Sequence, residues 1–173
     1  MKCLRKILES VEKQFSLGSG FKKEIDMTLK ISKQTQTTAT SMLKLHEGCE
    51  LNPYTCTSNR LTIGYGRNIE DRGISLAEAN YLLKNDVVYF GKQLWDTYAW
   101  YRDLDDVRQA ICIDMAFNLG MGGFSQFKKM HAAMAIADYD QAAKEMLDSR
   151  WANQVGYRSI KLSATMLTGV WYE

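Results

Sequence analysis

The apolar positions of this chain recur mostly at helical spacing. Leu4, Ile7, Leu8, Val11 and Phe15 fall three or four residues apart and predict an amphipathic helix over residues 3–15. Leu17-Gly18-Ser19-Gly20 breaks it, and Phe21, Ile25 and Leu29 mark a second, weaker helical pattern over residues 21–33. Gln34 to Thr40, polar and Thr-rich, reads as a linker. Ser41 or Thr40 then caps a short helix carrying Met42, Leu43, Leu45 and His46, which Gly48 ends just past Glu47. Leu51 to Tyr54 and Arg60 to Tyr65 read as two strands joined by a turn at Thr57-Ser58-Asn59.

From there the pattern is helical to the end. Ser75-Leu76-Ala77-Glu78 is a capping box that opens a helix holding Ala79, Leu82, Leu83 and Val87. Asp105 or Asp106 starts the next, Val107 to Leu119, and Gly120 to Gly123 stops it. Phe127 to Ala137 is helical, Asp138-Tyr139-Asp140 is a turn, and Gln141 to Ser149 is helical again. Trp151 begins another short segment, and Ser159 to Leu167 forms the last helix. The class is therefore α+β and mainly helical, with a small β-hairpin lobe and a larger helical lobe. A cleft between such lobes is the natural place for a substrate.

Composition changes this picture little. Of 173 residues, 46% are apolar and 24% charged, with one proline, as in an ordinary helical globular domain. No apolar stretch approaches a membrane span, and no long apolar run follows the basic N-terminus, so no signal peptide is expected. A net charge of +2 gives no reason to expect nucleic acid. Its distribution says more. Residues 1–36 carry eight Lys/Arg against four acids, a net +4, so the remainder nets −2. The arm fits either a solvated helix with both signs of charge or a contact with an anionic envelope surface.

The chemistry gathers at Glu47 and the hairpin behind it. A carboxylate at the end of a helix is followed after eight residues by the Cys56 thiol, and after five more by the Thr62 hydroxyl, then Ile63-Gly64-Tyr65-Gly66. An acid, a second polar group and a hydroxyl that can hold a water are the parts that glycosidic hydrolysis needs. This spacing resembles the active-site signature of phage-type lysozymes, glycoside hydrolase family 24, and the resemblance continues at Arg108 to Phe124 and Ser149 to Trp171. It covers residues 38–173, which makes that span a lysozyme-like catalytic domain and residues 1–37 a basic, partly helical extension and linker.

The resemblance implies a muramidase that cuts bacterial peptidoglycan. Such an enzyme is a monomer without cofactor or metal, held in the host cytoplasm until lysis and acting in the periplasm or cell wall. Glu47 is implied as the general acid, with Arg158 as its cationic partner. Cys56 stands where many relatives have Asp, and its part as base, nucleophile or electrostatic partner is open. Thr62 is implied to orient the attacking water, which means inversion at the anomeric carbon. Asn118 matches a cleft-lining amide. Trp151 and Gln154 are further substrate candidates, although Trp151 reads equally as a core aromatic. Arg67 stands where relatives often have His paired with an Asp that Asp86 matches, so the resemblance implies an Arg67–Asp86 ion pair with a structural role. A lytic transglycosylase using Glu47 and a wall-binding protein disabled at Cys56 are the alternatives.

The four cysteines, Cys3, Cys49, Cys56 and Cys112, show no zinc-type spacing. Cys112, in an apolar run, reads as core. Cys49 and Cys56 bracket the first strand, and a bridge between them would consume the thiol at the site. That suggests a redox switch with Cys3 as exchange partner, to be set against free thiols in a reducing cytoplasm.

Overall fold

A computed structural model describes residues 31–171. The expected helices before residue 31, and Cys3, lie outside the described residues. The fold is mainly helical α+β, as the periodicity predicts, and divides into two compact units between Ile74 and Ser75.

The first unit opens with helix α1, Lys33–Glu47. It begins in the stretch that the sequence reads as a linker, and the reason is local. Ser32 caps it by accepting from the Thr35 amide. The hydroxyls of Thr37, Thr40 and Ser41 then donate back to the carbonyls of Lys33, Gln36 and Thr37, so these residues satisfy themselves within the helix. Gly48, at φ 69°, ends it just past Glu47. Strands β1, Glu50–Thr55, and β2, Leu61–Gly64, form the expected hairpin, with Tyr54 opposite Thr62 and Thr55 opposite Leu61.

Two short elements follow that alternation alone does not reveal. These are strand β3, Arg67–Asn68, paired antiparallel with β2, and a single helical turn α2, Ile69–Arg72, capped by Asn68. The turn braces the hairpin, because Glu70 accepts from the Leu61 amide and the Arg60 guanidinium, both at 3.0 Å.

The second unit starts at the Ser75–Glu78 capping box with helix α3, Leu76–Thr97. A 3₁₀ turn, Ala99–Asp103, leads to helix α4, Asp106–Phe124, capped by Asp105. Gly120 was expected to stop α4; at φ 68° it kinks the helix, which resumes to Phe124. Helix α5 is Lys128–Ala135. Asp138 caps α6, Tyr139–Leu147, so most of the expected turn belongs to the helix it starts. Helices α7, Arg150–Val155, and α8, Tyr157–Thr168, complete the unit.

The core lies in this second unit. It gathers Leu94, Ile111, Met115, Phe124, Met130, Met146, Trp151, Leu162 and Met166. Cys112 is fully buried there as expected, and burial pushes its thiol pKa far up, which makes it inert. Arg108 closes the C-terminal end of α8. Its Nε donates to Met166 O at 2.8 Å, its Nη2 to Leu167 O at 3.0 Å, and its guanidinium lies 3.7 Å from the Tyr139 ring centroid. Gly169 beyond it is left-handed, and a Cβ there would lie 2.6 Å from Arg108 Nη1.

His131 is the weak point of this core. Tyr98, Phe124 and Trp100 surround its ring at centroid distances of 4.7, 4.8 and 5.5 Å, and its Nε2 has no hydrogen-bond partner. Burial lowers its pKa from 6.5 to about 4, against a smaller opposite effect of a hydrogen bond with the Phe124 backbone. The folded chain therefore binds fewer protons here than the unfolded chain between those two values. Stability contributed by the neutral ring falls as pH drops below 6.5 and is lost by about 4. His131→Phe is expected to flatten that loss, read as a smaller drop in Tm between pH 7 and pH 4.5.

Candidate active site

Glu47, Cys56 and Thr62 all belong to the first unit. The last turn of α1 carries Glu47, and the β2–β3 turn comes up against it. A Cβ placed on Gly66 would lie 3.4 Å from Glu47 Oε2, an ordinary contact, so the carboxylate and this turn are neighbours. The positive φ of Gly66, 75°, is what favours glycine there.

Cys56 and Thr62 meet across the hairpin. The Cys56 amide donates to Arg60 O at 3.0 Å and the Asn59 amide to Cys56 O at 2.9 Å, with Asn59 in the left-handed region at φ 58°. This tight turn sets the Cys56 sulfur beside the Thr62 hydroxyl. The thiol pKa is lowered, first by the Thr62 hydroxyl and then by the Arg60 and Ser58 backbone. Thr62 itself is only 3% exposed and donates to Arg60 O at 3.0 Å. A hydroxyl has one proton to give. The Arg60 carbonyl and the Cys56 sulfur therefore compete for it.

Cys49 and Cys56 are both free thiols and flank opposite ends of β1. Glu50, next to Cys49, pairs with Gly64, whereas Thr55, next to Cys56, pairs with Leu61, and the register shifts between Glu50 and Tyr54. Cys49 instead meets Tyr65, whose phenol pKa it raises through a hydrogen bond and then through charge. The Lys44 ammonium lies 5.7 Å from the same ring. Arg67 donates through Nε and Nη2 to Gly73 O at 3.1 and 2.8 Å, within the same unit. Asp86 lies on α3, in the other unit.

The second unit gathers the remaining candidates. Trp151 is 2% exposed, so it is the core aromatic of the two readings and not a platform for sugar. Its indole N–H donates to Asn118 Oδ1 at 3.0 Å. That bond fixes the amide of the exposed Asn118 and leaves its NH₂ free to donate outward, as recognition of an acetamido carbonyl requires. Gln154 is exposed on a cleft of ≈ 760 Å³ that is also lined by Leu119, Phe127, Glu145, Ser149 and Trp151.

Arg158 pairs with Asp114, Nη2 to Oδ1 at 2.8 Å. Asp114 was not singled out from the sequence. The signal was there, since it is the one charge in the run Ile111 to Phe117 of α4.

Comparison with known proteins decides the family. The signature of the phage lysozyme family matches residues 44–164, more than two thirds of the chain. The chain belongs to the phage lysozyme family. Two relatives are similar to it at lower resolution. The pre-baseplate central spike protein Gp5 of Enterobacteria phage T4 is 28% identical over 159 residues, taking in 74% of this chain and 27% of the spike protein. The probable T4-type lysozyme 1 of Dictyostelium discoideum is 26% identical over 157 residues, taking in 74% of this chain and 92% of its own. The chain thus spans about a quarter of the spike protein.

In this phage lysozyme the family match runs from within α1 to within α8, so it includes Glu47, Cys56, Thr62 and Arg158 but not residues 33–43 of α1. The contact between Cys56 and Thr62 is open to test by the rate of thiol alkylation against pH. Thr62→Val removes the donor that favours the thiolate, and the alkylation midpoint is expected to move to higher pH.

Proposed function

We propose that this phage lysozyme is a peptidoglycan hydrolase, a muramidase that hydrolyses the β-1,4 bond between N-acetylmuramic acid and N-acetylglucosamine. Glu47 is the general acid that protonates the leaving glycosidic oxygen. Cys56, ionised more readily than an ordinary thiol, supplies the negative charge for the oxocarbenium-like centre and accepts the proton of the attacking water. Thr62 holds that water and keeps the sulfur charged, and the water attacks with inversion. Asn118 donates to the acetamido carbonyl and Gln154 to sugar hydroxyls, and Arg158 contributes positive charge. The biological setting is phage lysis. The monomeric enzyme stays in the host cytoplasm until it reaches the wall, and its basic N-terminal arm meets the anionic envelope.

The observation that supports this reading is the Cys56–Thr62 contact, on the same three-stranded sheet whose β2–β3 turn receives the Glu47 carboxylate at Gly66. A cysteine whose thiolate is favoured by neighbouring donors is suited to act as an anion.

Two variants test the assignment on purified sacculi, read as loss of turbidity and release of reducing ends. Glu47→Gln is expected to lose at least about 10²-fold in rate while melting at the parent temperature. A near-parental rate removes Glu47 from the mechanism. Cys56→Asp is expected to stay active, with the acid limb of its pH–rate profile moved to lower pH, because a carboxylate ionises well below even a depressed thiol. An unmoved acid limb removes Cys56 as the group that must be charged.

A further inference from the structure

We propose that Tyr65 is a positioning residue for Glu47, fastening the β2–β3 turn to the chain on both sides of that carboxylate. The inference rests on the muramidase reading, in which Glu47 is the general acid. Every group in it lies in the first unit.

The turn needs a fastener. Tyr65 sits at its tip between Gly64 and Gly66, both in the left-handed region at φ 67° and 75°. Glycine on each side leaves the backbone many alternatives of similar energy. The ladder does not remove them, because Thr62 pairs with Asn68 and Ile63 with Arg67, and the pairing stops before the tip. Of the three tip residues, Gly64, Tyr65 and Gly66, only the tyrosine has a side chain with which to hold a position.

That side chain reaches across to the segment that carries the acid. The Lys44 ammonium lies 5.7 Å from the ring centroid. At the other end of the ring, the hydroxyl is hydrogen-bonded with the Cys49 thiol, which raises the pKa of the phenol. Lys44 belongs with Glu47 to the last turn of α1, and Cys49 follows the Gly48 that ends the helix. The ring is thus held just before Glu47 in the chain and just after it. Gly66, the next residue of the tip, is the neighbour of the carboxylate itself, as the 3.4 Å from its added Cβ to Glu47 Oε2 shows.

The size of these contacts decides what they are for. Tyr65 is 45% exposed and the Cys49 thiol is exposed as well. A cation over a ring and one hydrogen bond, both open to water, add little to folding. They are enough to select one among nearly equal turn conformations, and that selection keeps the Gly66 backbone beside the carboxylate. An acid held in one place relative to the strands that carry Cys56 and Thr62 acts on the chemical step more than on substrate capture.

The test measures kcat and KM on soluble peptidoglycan strands for the parent, Tyr65→Ala, Tyr65→Phe, Cys49→Ala, Cys49→Ser and the double variant Tyr65→Phe/Cys49→Ala, with Glu47→Gln alongside. Tyr65→Ala is expected to lower kcat roughly tenfold with KM within about twofold. Tyr65→Phe, which keeps the ring by Lys44 and loses the hydroxyl, and Cys49→Ala are each expected to lower it roughly threefold. The double variant is expected to be no slower than the slower of these two, because both remove the same bond. Cys49→Ser, which keeps a hydrogen-bonding partner for the phenol, is expected to recover most of the loss seen with alanine.

Thermal melts establish that each variant is folded, and the two Cys49 variants carry the comparison if Tyr65→Ala melts low. Parental kcat in the Tyr65 and Cys49→Ala variants, a change confined to KM, losses that multiply in the double variant, or a Cys49→Ser as slow as Cys49→Ala overturns the inference. An inactive Glu47→Gln together with unaffected Tyr65 variants sinks this inference and leaves the muramidase reading standing. An active Glu47→Gln sinks both.

Discussion

The register of one short hairpin sets the surroundings of the Cys56 thiol. With Tyr54 opposite Thr62 and Thr55 opposite Leu61, the turn closes at Arg60, and the next residue of the first strand, Cys56, falls beside the Thr62 hydroxyl. A slip of one residue would turn Thr62 to the opposite face of the sheet and leave the sulfur without its donor. The brace from Glu70 to the Leu61 amide and Arg60 guanidinium acts against that slip. So the lowered thiol pKa is a property of backbone pairing before it is a property of any side chain.

The two units are each held together by different means. Among the described residues of the first unit, Thr62 alone is buried, and it is polar. That unit is held by ladder hydrogen bonds, by the Ser32 and Asn68 caps, and by the Glu70 brace. The second unit carries the hydrophobic core, with Met115, Phe124, Met130, Met146 and Met166 fully buried. Methionine fills irregular space and tolerates exchange, so this core sets stability with loose demands on sequence. The hairpin has no such slack, because its turn needs Asn59 and Gly66 at positive φ.

Much of this was legible in the sequence, for reasons that can be named. The Ser75–Glu78 box, the hairpin and the Asp105 cap are local signals, in which the residues that set the structure are also the ones that adopt it. The failures share the opposite cause. Helix α1 starts at Lys33 because Thr37, Thr40 and Ser41 bond back to the preceding turn, whereas threonine-rich polarity reads as linker. Gly120 kinks α4 without ending it, since the packing of Phe124 holds the continuation. Trp151 was undecided because sequence does not tell which side of an aromatic faces the core.

The candidate site was legible to a different depth in each unit. In the first, the motif is continuous in sequence, so spacing alone brought Glu47, Cys56 and Thr62 forward. In the second, the groups that matter are joined by bonds across 33 and 44 residues, Asn118 with Trp151 and Arg158 with Asp114. Only one member of the Arg158–Asp114 pair lies in a stretch that motif spacing brings forward. The other, a carboxylate on an apolar helix, looks like an isolated blemish until its partner is seen.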